Sequence, residues 1–257
     1  MQFQVLVNCM FEEANDIITR LNLSNVPTLV VNQCDISKDE RKKIDEIHSI
    51  INTNSRGLSI GRNIGVMNAS AKICLLSDDD ELFIDDLENT ILKAYDHFKD
   101  ADLIVFNMSN KPKKLGDVPK KLKKYELLKV SSWQISFRLD SIKKKIKFDK
   151  RLGAGTGNGA SEENKFLLDC YKAKLNIYYY PSEIASVAQK QSTWFHGYDN
   201  KYFYNRGKTT RYILGYPISM LYAFYFIITK RKLYKKDSSI IKATLAMMKG
   251  IFSNELK

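Results

Sequence analysis

Short apolar runs separated by longer polar segments divide the N-terminal half of this chain, and this alternation is the strongest constraint on its fold. The runs are "FQVLVNC" (3–9), "PTLVVNQC" (27–34), "KICLLS" (72–77) and "DLIVFNMS" (102–109). Such runs are typical of strands buried on both faces of a parallel sheet, and the polar segments between them fit the helices of β-α-β units. The pattern predicts an α/β domain in which helices flank a mostly parallel central sheet.

The polar segments predict the helices of these units. Their ranges are 12–22, 38–50, 58–70 and 84–100. In the third segment, Ile60, Ile64 and Met67 follow the i, i+4, i+7 spacing of one apolar helical face. His48 and His97 fall on predicted surface helices and receive no functional role. Further strands are predicted at 132–139 and 176–182, and an exposed lysine-rich loop at 110–130.

The cysteines and the N-terminus favour a cytoplasmic protein. Three of the four cysteines, Cys9, Cys34 and Cys74, lie in apolar runs, and no CxxC pair is present. They are interpreted as reduced core residues, which argues against a disulfide framework or a zinc site. The opening segment "MQFQVLVNCM" lacks the basic start of a signal peptide and becomes a strand at once.

Charge is distributed unevenly along the chain, whose net charge is +12. Residues 1–100 carry 10 basic and 17 acidic side chains, whereas residues 201–257 carry 12 basic and 2 acidic ones. This asymmetry favours a localised anionic partner over the uniform coating of a nucleic acid.

The C-terminal region contains an uncharged segment, "YILGYPISMLYAFYFIIT" (212–229), between basic flanks. A spanning helix needs about 20 apolar residues, so this segment is borderline, and Gly215 and Pro217 weaken it further. Its aromatic residues and basic flanks suit a helix lying at a membrane interface. Residues 211–257 are therefore predicted to form a membrane-associating helical extension, while a spanning helix and a buried core helix remain alternatives.

Three consecutive carboxylates, Asp78, Asp79 and Asp80, follow the third apolar run. Adjacent carboxylates repel one another unless a cation balances them, and no basic residue lies between Lys72 and Lys93. Hard oxygen ligands of this kind favour Mg²⁺ or Mn²⁺ together with substrate phosphates. The triplet predicts a metal–diphosphate site at the carboxyl edge of the sheet, where such folds bind ligands. The alternative is a solvated acidic turn.

A specific resemblance appears in "GLSIGRNIGVMNASA" followed by "KICLLSDDD". G-L-S-x-x-R-N-x-G, an alanine, a short strand and D-D-D resemble the front half of family 2 glycosyltransferases of the GT-A fold. The later "GASEENKFLLDCYKAKLNIYYYPS" is similar to the acidic motif of that family. The resemblance implies a GT-A domain over 1–210, with a nucleotide-sugar-binding half (1–109) and an acceptor-side half (110–210).

Roles for the front half follow from the resemblance. It implies that Asp80 ligates the metal directly and that Asp78 faces the donor ribose or the water shell of the metal. Asp79 is a further donor-side candidate. Arg62 would approach the nucleotide or phosphate of the donor, and its alternative role is to pair with a nearby acidic residue on the helix surface.

In the acidic motif, Glu163 aligns with the general base, and Glu162 stands just before it. An inverting transfer needs one carboxylate to accept the proton of the acceptor hydroxyl. The choice between these two glutamates stays open. A purely structural alternative is that Ser161 caps a helix whose positive end both glutamates complement.

Two segments depart from the family pattern. After the second strand the family has acidic residues that contact the nucleobase, whereas "VVNQCD" offers Asn32 or Gln33 instead. Near the end of the matched region, "SVAQKQSTWFHG" carries His196 after its Ser-Thr pair, where many relatives have a histidine before it. His196 is a candidate metal or phosphate ligand.

Together these features predict a metal-dependent inverting glycosyltransferase, of the hexosyltransferase type, that uses Mn²⁺ or Mg²⁺ and a UDP-sugar. The resemblance implies a lipid-linked saccharide acceptor in bacterial surface polysaccharide or capsule biosynthesis. The expected location is the inner face of the plasma membrane, with the tail on an anionic surface and no nucleic-acid partner. The alternatives are a catalytically silent GT-A-like protein that binds membranes or nucleic acids, and a sugar nucleotidyltransferase.

Overall fold

The computed structural model describes residues 1–112, 114–158, 161–188, 197–253 and 256, and its described strands form a ten-stranded mixed sheet. The strands are β1 (Phe3–Met10), β2 (Thr28–Gln33), β3 (Glu40–Lys43), β4 (His48–Thr53), β5 (Ile73–Ser77), β6 (Glu81–Phe83), β7 (Leu103–Met108), β8 (Lys120–Lys121), β9 (Ile135–Arg138) and β10 (Ile177–Val187). Their order is β3-β4-β2-β1-β5-β9-β7-β10-β6, and β8 pairs with β10.

The described residues also form helices. They are α1 (Ala14–Arg20), α2 (Leu58–Asn68), α3 (Leu87–His97), α4 (Leu139–Ile142), α5 (Glu162–Lys172), α6 (Asn200–Leu214), α7 (Tyr216–Thr229), α8 (Arg231–Tyr234) and α9 (Ile240–Phe252). Two 3-10 turns, Leu127–Lys129 and Ser132–Gln134, precede β9. The predicted α/β class, with helices around a central sheet, is confirmed.

The chain divides into two compact units. The sheet unit comprises Met1–Phe148 and Glu163–Lys190, and the helical unit comprises Asp149–Glu162 and Gln191–Lys257. The predicted domain boundary at residue 210 lies inside α6, which continues to Leu214.

In the middle of the sheet, one antiparallel strand separates two groups of parallel strands. Strands β4, β2, β1 and β5 run parallel, as do β7 and β10. Between β5 and β7 lies β9, which pairs antiparallel with both. Because β9 runs in the opposite direction, it begins at the edge where β5 and β7 end. The residues just before β9 therefore meet the carboxyl ends of both neighbours.

The helix predicted at 38–50 is wrong, because this segment forms β3 and the start of β4 as an antiparallel pair. All four residues of β3 are exposed and the strand reads "ERKK", so it has no apolar alternation to mark it. His48, assigned to a surface helix, is buried in β4. Its ring contacts Asp45 Oδ2 at 2.6 Å and the Leu23 carbonyl oxygen at 3.0 Å, so it has a structural position.

The predicted apolar face of α2 is also wrong. Its buried residues are Ser59, Gly61, Arg62, Gly65 and Val66, whereas Met67 is exposed. A Cβ atom on Gly61 would lie 2.5 Å from both Asn8 Oδ1 and Gln33 Nε2, so the backbone of α2 lies unusually close to the sheet. Glycine permits this approach, and the side chain of Arg62 is carried into the protein with it.

The helical unit has a core of its own, to which α6, α7 and α9 contribute. Helices α6 and α9 cross closely at two glycines: a Cβ atom on Gly207 would lie 2.1 Å from the Met247 carbonyl oxygen, and one on Gly250 would lie 2.0 Å from that of Tyr204. The uncharged segment 212–229 is not one helix, because Gly215, with φ of 79°, separates α6 from α7. Within the described part of the chain, no helix has the length and apolar character needed to cross a bilayer.

Helix α7 has two different faces. Ala223, Phe226 and Ile227 are buried in the core of the helical unit, as expected for a core helix. Leu221 and Ile228 lie outside that core and are 70% and 72% exposed. The segment is therefore partly a core helix and partly an exposed apolar surface.

Candidate active site

A buried ion pair links α2 to the aspartate triplet. The side chain of Arg62 has no solvent exposure, and its Nη2 donates to Asp78 Oδ1 at 2.8 Å and to Asp78 Oδ2 at 3.1 Å. Its guanidinium carbon also lies 5.6 Å from the centre of the Phe148 ring. A buried charge is tolerated only when it is paired and hydrogen-bonded, and Asp78 meets that requirement for Arg62.

Asp78 is held from two further elements. Ser132, in the 3-10 turn before β9, donates its hydroxyl to Asp78 Oδ2 at 3.2 Å. The backbone nitrogen of Asp78 donates to Glu81 Oε1 at 3.1 Å, which closes the turn between β5 and β6. The position of this carboxylate is therefore fixed by α2, the 3-10 turn and β6. Sequence reasoning missed Ser132, whose only signal is a hydroxyl shortly before a strand.

Glu81 is a second buried carboxyl at this turn, with 1% of its surface exposed. Burial raises its pKa well above the ordinary value, and the negative charge of Asp78 raises it further. Its Oε2 atom has no hydrogen-bond partner among the described residues. The acidic turn therefore has one member that favours the neutral form and another whose charge Arg62 balances. Pairing with an acidic residue was the alternative role given to Arg62, and the structure places this pair in the interior instead of on the helix surface.

The carboxylates of the aspartate turn suit a metal ion that is bound partly by the protein and partly by the phosphates of a substrate. Within the described ranges, no three His, Cys, Asp or Glu side chains are grouped as a metal site. The carboxylate of Asp78 is engaged by Arg62 and Ser132, and His196 lies outside the described residues. Asp79 and Asp80 are partly exposed at the same turn. Since Mg²⁺ is commonly bound by one or two carboxylates plus substrate phosphates, these two fit such an ion.

Asn63, next to Arg62, makes long-range contacts rather than local ones. Its Nδ2 donates to the Phe148 carbonyl oxygen at 2.8 Å, and the Phe148 backbone nitrogen donates to its Oδ1 at 2.8 Å. The ring of Phe148 stacks on Phe166 of α5, with the two centroids 4.2 Å apart. The Arg-Asn pair of the motif thus connects α2 to the aspartate turn through one side chain and to residue 148 through the other.

The candidate general bases open α5. Glu162 is 4% exposed and Glu163 is half-buried. One residue later, Asn164 Nδ2 donates to the carbonyl oxygens of Leu127 and Val130, both at 3.2 Å. The first turn of α5 is therefore fastened to the segment that leads into Ser132. Asn164 is a positioning residue that the sequence motif contained but that received no role.

The proposed nucleobase ligands are engaged within the protein. Asn32 Nδ2 donates to the Glu12 carbonyl oxygen and to Asn52 Oδ1, each at 3.0 Å. Gln33 Oε1 accepts from the Gly57 nitrogen at 2.8 Å, and Gly57 precedes α2. These amides position the segment after β1 and the start of α2. Direct contact of either one with a nucleobase stays a prediction.

An aromatic–cation pair lies at the same edge and was missed from the sequence. Phe11 directly follows β1, is 61% exposed and has φ of 55°. The guanidinium of Arg56 lies 5.4 Å from its ring centre, donates to the Cys34 carbonyl oxygen at 3.3 Å and pairs with Asp35. In the sequence Phe11 follows the apolar run of β1 without interruption, so its exposure could not be foreseen.

This chain is similar to known proteins in its structure but not in its sequence. The sequence matches no known family profile and no curated protein. Among solved structures, S. aureus TarS 1-349 superposes with a TM-score of 0.64 at 14% identity, covering 98% of this chain and 81% of TarS 1-349. TarS is a GT-A-type glycosyltransferase. This chain has a GT-A-like fold.

Two further structures agree with this result. TarS 1-349 in complex with UDP-GlcNAc gives a TM-score of 0.67 at 12% identity, over 98% of this chain and 82% of that one. The complex with UDP gives 0.64 at 13% identity, over 98% and 81%. At such identity the similarity establishes the fold alone. The GT-A architecture implied by the sequence motifs is therefore confirmed, while membership of family 2 stays a prediction.

Proposed function

We propose that this chain is an inverting glycosyltransferase that uses a nucleotide diphosphate sugar, with a UDP-sugar as the first candidate. The observation that carries the proposal is the aspartate turn at the carboxyl edge of a GT-A-like sheet, where Arg62 and Ser132 fix Asp78. Two of the structures with the same fold contain UDP-GlcNAc and UDP. The half-buried Glu163 on a fastened helix supports sugar transfer over nucleotidyl transfer.

On the donor side, Asp80 and Asp79 would hold Mg²⁺ or Mn²⁺ together with the diphosphate. The ion would neutralise the negative charge that develops on the leaving nucleotide diphosphate. Phe11 offers a flat aromatic surface on which the base would stack, with the guanidinium of Arg56, which also pairs with Asp35, beside it. Asn32 and Gln33 stay candidate contacts of the base, and their hydrogen bonds with the Glu12 carbonyl oxygen and the Gly57 nitrogen fix the ends of the neighbouring segments.

On the acceptor side, a carboxylate on α5 takes the proton of the attacking hydroxyl. The acceptor oxygen forms its bond to the anomeric carbon while the bond from that carbon to the diphosphate oxygen breaks. Both electrons of the broken bond leave with the nucleotide diphosphate. Glu163 is the better candidate because it is more accessible than Glu162, and an acceptor must reach the base within hydrogen-bond distance.

Nucleotide binding tests this proposal directly. We expect calorimetry to show that UDP binds more tightly than GDP, CDP or dTDP, and that Mn²⁺ strengthens the binding. Asp80→Asn should weaken Mn²⁺-dependent UDP binding at least about tenfold, because it removes one charged metal ligand. Asp96→Asn, which changes an exposed aspartate of α3, is the charge-matched control. Absence of binding by all four nucleotides, with and without Mn²⁺, would contradict the proposal.

Product analysis then separates the reaction classes. Free UDP released from a UDP-sugar supports sugar transfer, and pyrophosphate formation supports a nucleotidyltransferase instead. UDP binding without turnover on any acceptor supports a catalytically silent protein.

The acceptor in this proposal is a lipid-linked saccharide of bacterial surface polysaccharide biosynthesis, reached at the inner face of the plasma membrane. The support comes from exposed apolar side chains on α7 and α9: Leu221, Phe224, Tyr225, Ile228, Ile240, Ile241, Leu245 and Phe252. Basic residues accompany them, and each one near an anionic bilayer contributes about 1 kcal/mol. An amphipathic surface of this type binds a membrane peripherally.

Vesicle sedimentation tests the membrane contact. We expect the protein to sediment with phosphatidylglycerol vesicles, and Leu221→Gln with Ile228→Gln to reduce the bound fraction several-fold, because both side chains are exposed on α7. The matched control is Leu82→Gln with Val118→Gln, which changes two exposed apolar residues of the sheet unit. Equal loss in both double variants, or no sedimentation of the unmodified protein, would show that α7 does not form the membrane contact.

A further inference from the structure

A small cavity in the sheet unit lies where β7 ends and the lysine-rich loop begins. Its volume is about 70 Å³, and it is lined by Asn107 of β7, Lys111 and Lys114 of the loop, and Trp133 of the 3-10 turn before β9, among others. A water molecule in the liquid takes about 30 Å³, so the cavity has room for a group the size of two waters. The mechanism described above uses none of these side chains.

Three lysines surround this cavity: Lys111, Lys114 and Lys129. Among the described residues, none of them forms an ion pair with a carboxylate. The acidic residue nearest in sequence to Lys129 is Glu126, whose Oε1 accepts from Lys120 at 2.8 Å and whose Oε2 accepts from the Lys123 nitrogen at 2.9 Å. The hydrogen bond from Lys120 lowers the pKa of Glu126 most, and the charge of Lys129 adds a smaller effect, so Lys129 is partly balanced by this carboxylate. Three like charges beside one small space repel each other, with water screening Lys114 and Lys129, whose side chains are exposed, and an anion bound there would reduce the repulsion.

The other polar groups of the lining are held by the protein. Asn107 Nδ2 donates to the Tyr179 hydroxyl at 2.7 Å, and Gln134 Nε2 donates to the Phe106 carbonyl oxygen at 2.6 Å. Trp133 is partly buried and packs against the core of the sheet unit. These contacts hold the side chains of Asn107 and Gln134 in place, and Lys111, Lys114 and Lys129 are the charged residues of the lining.

The cavity is joined to the candidate active site through a single turn. Ser132 donates to Asp78, while the next two residues, Trp133 and Gln134, line the cavity. Strand β9 follows and pairs with both β5 and β7, so the ends of these two strands are separated by two strand spacings, roughly 10 Å. A group bound in the cavity would thus lie beside the donor site at the same edge of the sheet.

We propose that this cavity binds a phosphate group of the acceptor, and that the acceptor is therefore a phosphorylated saccharide. The inference rests on the proposed glycosyltransferase function and adds the chemical class of the second substrate. Ammonium groups bind phosphate as point charges, and the flat face of Trp133 provides an apolar wall for the attached sugar or chain. A soluble sugar phosphate and a lipid-linked diphosphate carry the same anion, so the experiment includes both.

Tryptophan fluorescence reports on the cavity, because the chain contains two tryptophans, Trp133 and Trp194. In a Trp194→Phe background, Trp133 is the remaining emitter. We expect a saturable change in emission on titration with glucose 1-phosphate and no saturable change with glucose. Pyrophosphate and farnesyl diphosphate form the second arm: tighter binding of farnesyl diphosphate indicates the lipid-linked source, and equal binding indicates recognition of the anion alone.

Two triple variants test the charges. Lys111→Gln, Lys114→Gln and Lys129→Gln together should weaken glucose 1-phosphate binding at least tenfold. The control changes three exposed lysines of the same unit that do not line the cavity, Lys72→Gln, Lys93→Gln and Lys174→Gln, and should bind as the unmodified protein does. Both variants should still bind UDP, which also verifies that they fold.

Different results would contradict the glycosyltransferase function and the binding of an acceptor phosphate. If the unmodified protein does not bind UDP, the glycosyltransferase function fails, whatever the fluorescence shows. If UDP binds, the acceptor-phosphate inference is overturned by an equal response to glucose and glucose 1-phosphate. It is also overturned if the cavity variant binds glucose 1-phosphate as tightly as the control variant.

Discussion

Replacement of Arg62 by methionine is expected to lower the free energy of unfolding of the protein by about 3–5 kcal/mol. The variant leaves Asp78 at a turn that also contains the buried carboxyl of Glu81, without the cation that balances its charge. Methionine fills much of the vacated volume, so the loss reports on charge more than on packing. Urea unfolding of the full chain, followed by circular dichroism, measures the change.

A surface pair provides the matched control for this variant. Arg56 also pairs with an aspartate, Asp35, but the two side chains are 35% and 82% exposed. Arg56→Met should therefore cost no more than about 1 kcal/mol, the range of exposed ion pairs. If both methionine variants lose the same stability, the Arg62–Asp78 pair does not hold the turn. Adding Asp78→Asn to Arg62→Met should recover part of the loss, because the two effects are coupled.

The second large effect is expected from Glu163→Gln, which should lower kcat for sugar transfer by about 100- to 10,000-fold. Glutamine keeps the size of the side chain and its hydrogen-bonding capacity, but it cannot accept the acceptor proton. UDP binding measured by calorimetry should be unchanged, because the donor site that we propose lies at the ends of β1, β2 and β5, and Glu163 lies on α5. The limb of the pH–rate profile that reports the base should disappear in the variant.

Glu162→Gln is the comparison that decides between the two glutamates. It changes the preceding residue of the same helical turn, and its side chain is buried. We expect a much smaller loss of kcat than for Glu163→Gln. The reverse order would transfer the role of base to Glu162, and near-normal turnover by both variants would remove this pair from the mechanism.

The parts of the fold that could be predicted are those in which the sequence of a single segment indicates its secondary structure and its burial. Four strands are buried over almost their whole length, and their mainly apolar sequences predicted this burial: β1, β2, β5 and β7. The edge strand β3 is the opposite case, since its charged residues protect an exposed edge and carry no strand pattern. The insertion of β9 between β5 and β7 is a tertiary arrangement that no local pattern encodes.

The site shows the same distinction. The motifs identified Asp78 and Arg62 separately, and their pairing depends on which face of α2 meets the sheet. That face was assigned to Ile60, Ile64 and Met67 because large apolar residues usually mark it. Here the glycines bring the helix backbone so close that small residues and one arginine occupy the interface. Hydrophobicity alone therefore pointed to the wrong side.

The antiparallel strand in the middle of the sheet has a consequence for how the chain folds during its synthesis. Strands β4, β2, β1 and β5 are complete once residue 77 has been made, but the outer edge of β5 has no partner until β9 emerges. At about 5–20 residues per second, the ribosome leaves this apolar edge open for several seconds. Open edges recruit other chains, so the nascent protein is most exposed to aggregation in this interval. The N-terminal strands thus complete their folding only with a strand contributed by the second half of the chain.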